Sequence, residues 1–231
     1  MVIDGSTDRT GEIARSRAAD HVQVLDFPTQ LGKGGAVVAG IAAARYDTVG
    51  YLDADSPITQ EDIRRLVTAI PTTDAAIGSR RLKESVATGE IPMARKVFRV
   101  WFNVLTRGVL HLPYRDTQCG AKFFRTAAIK PVLSRIKLRG WAFDAAMLYE
   151  LREAGGTVRE IPVTWNYDSD SKLPLAEQVP VMFLSIFFIR LVNLKIVGRL
   201  PERLTWWFAS NFMKRTATST QILEAALVTE L

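Results

Sequence analysis

An apolar run, Thr48-Val49-Gly50-Tyr51-Leu52, ends in two carboxylates one residue apart, Asp53 and Asp55, and this stretch limits what the chain can become. The run is short, β-branched and aromatic, and it is bounded by polar residues and Pro57. It predicts a buried strand of an α/β sheet. In such sheets ligands collect at the carboxyl ends of strands. An extended backbone repeats its side-chain direction every two residues, so Asp53 and Asp55 face one cleft if that geometry continues. Two hard oxygen ligands suit Mg²⁺ or Mn²⁺ that also binds phosphate oxygens. The spacing alone is a weak signal, because an Asp-x-Asp pair arises by chance roughly once in a chain of this length. Asp168-Ser169-Asp170 is a second copy, but it lies in a polar stretch with no strand before it.

The segments around this run alternate between strand and helix. Ile3 ends an extended piece, and Asp4-Gly5-Ser6-Thr7-Asp8 is a turn feeding a helix over 7–19. A short strand over 22–25 follows. Leu31-Gly32-Lys33-Gly34-Gly35 then opens an Ala/Val-rich helix over 34–45. Backbone donors at that helix start, with Lys33, suit an anion. The spacing is too short for the phosphate loop of the P-loop NTPases, and no Ser or Thr follows the lysine. Thr59 caps a helix reaching residue 70, and a strand runs over 74–78. The alternation argues for an α/β fold with a mixed, mainly parallel sheet and helices on both faces.

Beyond Ser79 a basic polar loop carries Arg80, Arg81 and Lys83 as far as Pro92, a length that usually marks a functional or mobile loop. A helix over 94–111 then sets Arg95, Arg99, Asn103 and Arg107 in one stripe on a wide apolar body. That pattern fits a buried helix with a solvated stripe, and equally a helix lying on a membrane surface. A polar turn over 115–120 leads to a strand with Phe123 and Phe124. Trp141-Ala142-Phe143-Asp144 leads into a helix closed by Gly155-Gly156. Residues 157–165 alternate as a further strand.

Composition narrows the function classes. One cysteine, Cys119, excludes a disulfide framework, and with two histidines it also excludes a Cys/His zinc site. Cys119 reads as a small buried filler. The net charge of +6 favours anionic partners, but the basic residues are scattered through loops and one helix, so no nucleic-acid partner is expected. The opening Met1-Val2-Ile3-Asp4 has no charged-then-apolar leader pattern. Residues 176–198 are strongly apolar but interrupted by Arg190 and Lys195, short of the roughly 20 uncharged residues that span a bilayer. Leu204-Thr205-Trp206-Trp207-Phe208, followed by Lys214-Arg215, sets tryptophans beside cations as helices at the headgroup level do. Three regions are expected: a core over 1–175, apolar helices over 176–215 that meet a membrane, the core or another chain, and a tail over 216–231.

Taken in order, these motifs resemble the inverting GT-A glycosyltransferases of family 2, and within them the dolichyl-phosphate glucose and mannose synthases and their polyprenyl-phosphate relatives. Asp4-Gly5-Ser6-Thr7-Asp8 is similar to the family's nucleotide-recognition turn, with Ile3 where a first aspartate would stand. Gly32-Lys33-Gly34-Gly35-Ala36 is similar to the donor-side glycine loop, and Asp53-Ala54-Asp55 to the metal motif. Gly78-Ser79-Arg80 matches the segment opening the basic loop. Asp116-Thr117-Gln118-Cys119-Gly120 with Lys122-Phe123-Phe124 is the most distinctive match, and Trp141-Ala142-Phe143-Asp144 and Ser171-Lys172 complete the series. Two positions depart from the pattern: Ser56-Pro57 follows Asp55, and Ala146 stands where relatives carry an acidic residue. The family's first strand, with its Pro-x-Tyr-Asn-Glu-like turn, is missing; it would lie between the strand ending at Ile3 and the one ending at Asp53.

The resemblance implies transfer of a hexose from UDP-glucose or GDP-mannose to a polyprenyl phosphate, at the cytoplasmic face of a membrane, with Mg²⁺ or Mn²⁺ held by Asp53 and Asp55. Asp55, Asp144 and Arg80 are the implied catalytic set. Asp4, Gly5, Lys33, Gly34, Asp53, Arg81, Gln118 and Lys172 are implied to hold the donor. A phosphate acceptor is already an anionic nucleophile, so Asp144 would orient it, or serve only as a helix N-cap. With a polysaccharide or protein hydroxyl as acceptor, Asp144 would be the required base. A non-catalytic partner or remnant of such an enzyme is the other reading, and association with itself or with a membrane protein fits the apolar C-terminal region.

Overall fold

A computed structural model describes residues 1–53, 58–89, 92–136, 138, 140, 142–166 and 175–193. The alternation of strand and helix is realised as β1 (Val2–Asp4), α1 (Thr10–Arg17), β2 (Leu25–Phe27), α2 (Lys33–Ala42), β3 (Thr48–Leu52), α3 (Gln60–Ala69) and β4 (Ala75–Ser79). The second half contributes β5 (Val86–Thr88), α4 (Met93–Leu110), β6 (Ala121–Arg125), α5 (Thr126–Ile129), α6 (Phe143–Glu153), β7 (Val158–Pro162), β8 (Thr164–Asn166) and α7 (Leu175–Asn193).

Among the described residues three sheets form. One has the order β3-β6-β4-β7, one pairs β1 with β2, and one pairs β5 with β8. The β1–β2, β4–β7 and β5–β8 pairings are parallel, whereas β6 runs antiparallel to both β3 and β4. No ladder joins β1 to β3 among the described residues. β3 therefore has a single partner strand. Instead of the buried strand expected, it is a half-buried edge, with Leu52 43% exposed. The strand expected over 22–25 forms three residues later, because the parallel register sets Leu25 opposite Val2 and buries it. The basic loop after Ser79 is less open than expected, since Val86–Thr88 pairs with Thr164–Asn166.

Side chains alternate across the sheet and feed two cores. Ala75, Ile77 and Phe124 join the larger cluster, formed with Val38 and Ile41 of α2, Phe102 of α4, Phe143 and Leu148 of α6 and Ile186 of α7. Ala76 and Ala121 point the other way, into a smaller cluster under Leu66 and Ala69 of α3. The period-two pattern of the strands thus places helices on both faces. Thr59 and Asp62 exchange hydrogen bonds in a capping box that fixes the start of α3.

α4 turns the middle of the stripe expected to be solvated, Arg99 and Asn103, toward the protein, while Arg107 stays exposed. Asn103 is buried and donates to the Tyr114 and Arg115 carbonyls, and Arg99 lies over the Trp165 ring. Met93, Val97, Val100, Trp101 and Val104 are left exposed instead, Trp101 at 62%. The polar residues rotate inward because the loop carbonyls and the indole offer partners that water would otherwise have to supply. α7 packs beside α4 and buries Met182, Ile186 and Ile189, while Leu184, Phe187 and Leu191 stay exposed. Among the described residues no helix is long and apolar enough to cross a membrane. The segment 204–215 and the tail lie outside the described residues.

Candidate active site

Two clusters of charge meet at the carboxyl ends of β3 and β4. The first is built on Asp53, immediately after β3, and Lys33, the first residue of α2. Gly32 caps α2 with φ 77, a left-handed conformation that favours glycine, and this turn brings the lysine round to the sheet. Asp4 fixes the same turn from the other side, its carboxylate accepting from the Leu31 and Gly32 amides. The Gly5 amide donates to the Phe27 carbonyl, which holds the Asp4–Gly5 turn beside β2. The sequence-expected donor residues Asp4, Gly5, Lys33 and Asp53 are therefore brought together around one loop.

Lys33 Nζ lies 3.1 Å from Asp53 Oδ1 and 3.1 Å from Asp144 Oδ2. Asp144 sits in the first turn of α6, with its side chain 1% exposed. Its other oxygen accepts from Lys122 Nζ at 2.5 Å and from the Tyr51 hydroxyl. Lys122 is fully buried, also donates to the Cys119 carbonyl at 2.5 Å, and lies 5.6 Å from the centre of the Tyr51 ring. Burial alone would raise the Asp144 pKa, but Lys122 and Lys33 outweigh it and hold the carboxyl well below the usual range. Burial would likewise lower the Lys33 pKa, and Asp144 and Asp53 more than reverse that. The N-cap of α6 is Ala142 and makes no side-chain cap bond, so Asp144 is not a helix cap.

Two glycines make the cluster possible. A methyl group built on Gly120 would land on the Asp53 carboxylate, so glycine there leaves the space that the carboxylate fills. A methyl on Gly34 would lie 2.6 Å from Cγ of Phe143, so this glycine lets α2 press against the start of α6. The Asp53 amide donates to the Gly120 carbonyl at 2.9 Å, tying the end of β3 to the polar turn before β6.

The second cluster lies on that turn. Arg80 forms a bidentate pair with Asp116, Nε to Oδ2 at 2.6 Å and Nη2 to Oδ1 at 2.9 Å. Burial would raise the Asp116 pKa, but Arg80 takes it down to about 2. Trp165 has Arg80 5.3 Å and Arg99 4.8 Å from its ring centre. Arg81 Nη1 donates to the Arg99 carbonyl at 3.1 Å. Burial, and after it the neighbouring Arg80, lowers the Arg99 pKa to about 10. Gln118 Nε2 and Thr117 Oγ1 are buried without a hydrogen-bond partner among the described residues.

The structure therefore gathers Asp4, Gly5, Lys33, Gly34, Asp53 and Asp144 on one side and Arg80, Arg81 and Gln118 on the other. Asp55, Lys172, Ser171, Trp141 and the second Asp-x-Asp pair lie outside the described residues. Tyr51, Lys122, Asp116, Arg99 and Trp165 were not singled out from the sequence as site residues. Lys122, a lysine between Ala121 and the apolar pair Phe123-Phe124, is the available signal. No group of three or more His, Cys, Asp or Glu side chains gathers in a metal-binding cluster among the described residues. Asp53 still fits a divalent cation, since it is a hard oxygen donor, part-exposed at a strand end and given room by Gly120.

Comparison with known proteins shows the family and the fold. Residues 1–133 match the model of glycosyl transferase family 2. The chain is 30% identical over 213 residues to human dolichyl-phosphate beta-glucosyltransferase, covering 87% of this chain and 66% of that protein. It is 32% identical over 171 residues to undecaprenyl-phosphate mannosyltransferase of Micrococcus luteus, covering 71% of this chain and 70% of that protein. The chain spans between 28% and 66% of the length of the first curated relatives it matches. Among solved structures it resembles glucosyl-3-phosphoglycerate synthase from Mycobacterium tuberculosis in complex with Mn²⁺ and UDP-glucose, with a TM-score of 0.56, 16% identity, and coverage of 81% of this chain and 67% of that one. At that identity the likeness speaks for the fold.

Proposed function

The chain belongs to glycosyl transferase family 2, and on that footing we propose that it transfers a hexose from a nucleotide-diphosphate sugar, UDP-glucose or GDP-mannose, to a polyprenyl phosphate at a membrane surface. The observation that carries the choice of acceptor is the state of Asp144. A general base must be reachable and able to take a proton near neutral pH. Asp144 is buried, held by two lysines and a tyrosine, and kept ionised far below that range. Such a carboxylate is a fixed counter-ion. A hydroxyl acceptor could not use Asp144 as its base, whereas a phosphate acceptor needs none.

The other residues take roles consistent with this. Asp53, with Asp55 beside it in sequence, would hold Mg²⁺ or Mn²⁺, which when bound offsets the charge developing on the leaving diphosphate. Lys33 and the first amides of α2 face the same charge. Asp4 and Gly5 shape the loop that carries Lys33, and Gly34 sets its distance from α6. Gln118 offers its unpaired amide to the donor. Arg80, locked by Asp116, contributes fixed positive charge, and Arg81 and Arg99 with Lys172 receive the acceptor phosphate. An anion there would pair with Arg99, whose charge is partly buried beside Arg80. Beside these arginines, the exposed apolar residues of α4 and α7 lie against the lipid, where Trp101 suits the headgroup level. The test is incubation with labelled nucleotide sugars and polyprenyl phosphate in vesicles. A lipid-extractable, acid-labile labelled product is expected, and label recovered only in a polysaccharide or protein fraction would overturn the reading.

A further inference from the structure

Lys33 occupies an unusual position for a residue that is to meet an anionic donor: its ammonium is already engaged by carboxylates, Asp53 and Asp144 among the described residues. One, Asp144, is buried and anchored from behind by Lys122 and Tyr51. The other, Asp53, is 30% exposed and faces outward, and Lys33 itself is 22% exposed. The closed end of the cluster is therefore Asp144–Lys122, and the open end is Asp53–Lys33. Among the described residues, two ammonium groups and two carboxylates balance in charge. A divalent cation approaching Asp53 meets this balance, because it must share the carboxylate with an ammonium at 3.1 Å or displace it.

We propose that Lys33 is a built-in counter-ion that competes with the divalent cation for Asp53, so that cation binding at Asp53 releases the Lys33 ammonium toward the diphosphate. This deepens the function proposed above and rests on Asp53 being a metal ligand. Asp144 makes the exchange possible. It keeps hold of Lys33 from the buried side, so the ammonium pivots instead of being lost to solvent. Release is also favoured by the donor, since a diphosphate supplies the negative charge that Lys33 gives up at Asp53. By thermodynamic reciprocity, a ligand that captures Lys33 must tighten cation binding, and removing Lys33 must do so as well.

The test measures Mn²⁺ binding to the full chain by the electron paramagnetic resonance signal of free Mn²⁺, without nucleotide and then with UDP as a diphosphate probe. Lys33→Met and Lys33→Gln are compared with the wild type. Both remove the charge, and the second keeps a hydrogen-bonding group should the first fail to fold. Without nucleotide, Mn²⁺ binding to the variants should tighten by about ten-fold, within the range usual for coupled sites. UDP should then tighten it less in the variants than in the wild type. Unchanged or weaker Mn²⁺ binding in a folded variant without nucleotide would overturn the proposal. Asp53→Asn separates the two levels: if it binds Mn²⁺ as well as the wild type does, the reading of Asp53 as a ligand fails, irrespective of Lys33.

Discussion

Replacing Asp144 with asparagine preserves the shape of the side chain and removes one charge from a nearly sealed cluster. Lys33 keeps Asp53 as a partner after the change, 3.1 Å away. Lys122 does not fare as well. It is fully buried, its ion-pair partner is Asp144, and what remains is the Cys119 carbonyl and the face of Tyr51. Breaking a buried ion pair by removing one partner costs about 3 to 5 kcal/mol. Against a net stability of about 5 to 15 kcal/mol, that is a large fraction. Equilibrium urea unfolding of wild type, Asp144→Asn, Lys122→Met and the double variant measures it. Each single variant should lose about 3 kcal/mol or more. The double variant should recover part of the loss, with a coupling of about 1 to 3 kcal/mol, because no uncompensated charge is left inside. If Asp144→Asn unfolds within about 1 kcal/mol of wild type and yet abolishes transfer, Asp144 is a base and the counter-ion account is wrong.

Three further outcomes follow from the same geometry. Asp116 has its pKa at about 2, against an ordinary 3.8, so its contribution is fully present above 3.8 and is lost as pH falls toward 2. This amounts to about 2 kcal/mol, and acid unfolding of Asp116→Asn should lack that limb. Gly120→Ala sets a methyl on the Asp53 carboxylate and should cost about 1 to 3 kcal/mol in thermal or urea unfolding, with weakened Mn²⁺ binding. Trp101→Glu, on the exposed face of α4, should leave stability within about 0.5 kcal/mol while reducing co-sedimentation with anionic lipid vesicles; unchanged sedimentation would remove α4 from the lipid contact.

How far the sequence carried this account depended on whether the decisive interactions were local. Helix starts were legible where a local device sets them, as with Thr59 and its capping partner Asp62. The strand at Thr48–Leu52 was legible from its residues, but its burial was not, because burial depends on which strand lies beside it. The position of β2 was misplaced by three residues because its register is set by β1, more than twenty residues away. α4 shows the limit most clearly. Periodicity identified the helix and its two faces, but nothing local told that Trp165 and the Tyr114 carbonyl would draw Arg99 and Asn103 inward. In the site, Asp53, Lys33 and Asp144 stood out by motif. Their linkage, with Lys122 and Tyr51, joins residues as far apart as Lys33 and Asp144 and required the fold.

The acceptor is the centre of the account, and a paired assay addresses it most directly. The chain is incubated in vesicles with labelled UDP-glucose or GDP-mannose and either polyprenyl phosphate or the corresponding polyprenol, identical except for the phosphate. With Asp144 fixed as a counter-ion, labelled glycolipid should form with the phosphate and not with the alcohol. Equal transfer to the alcohol would contradict this reading, because it would require Asp144 to act as the base.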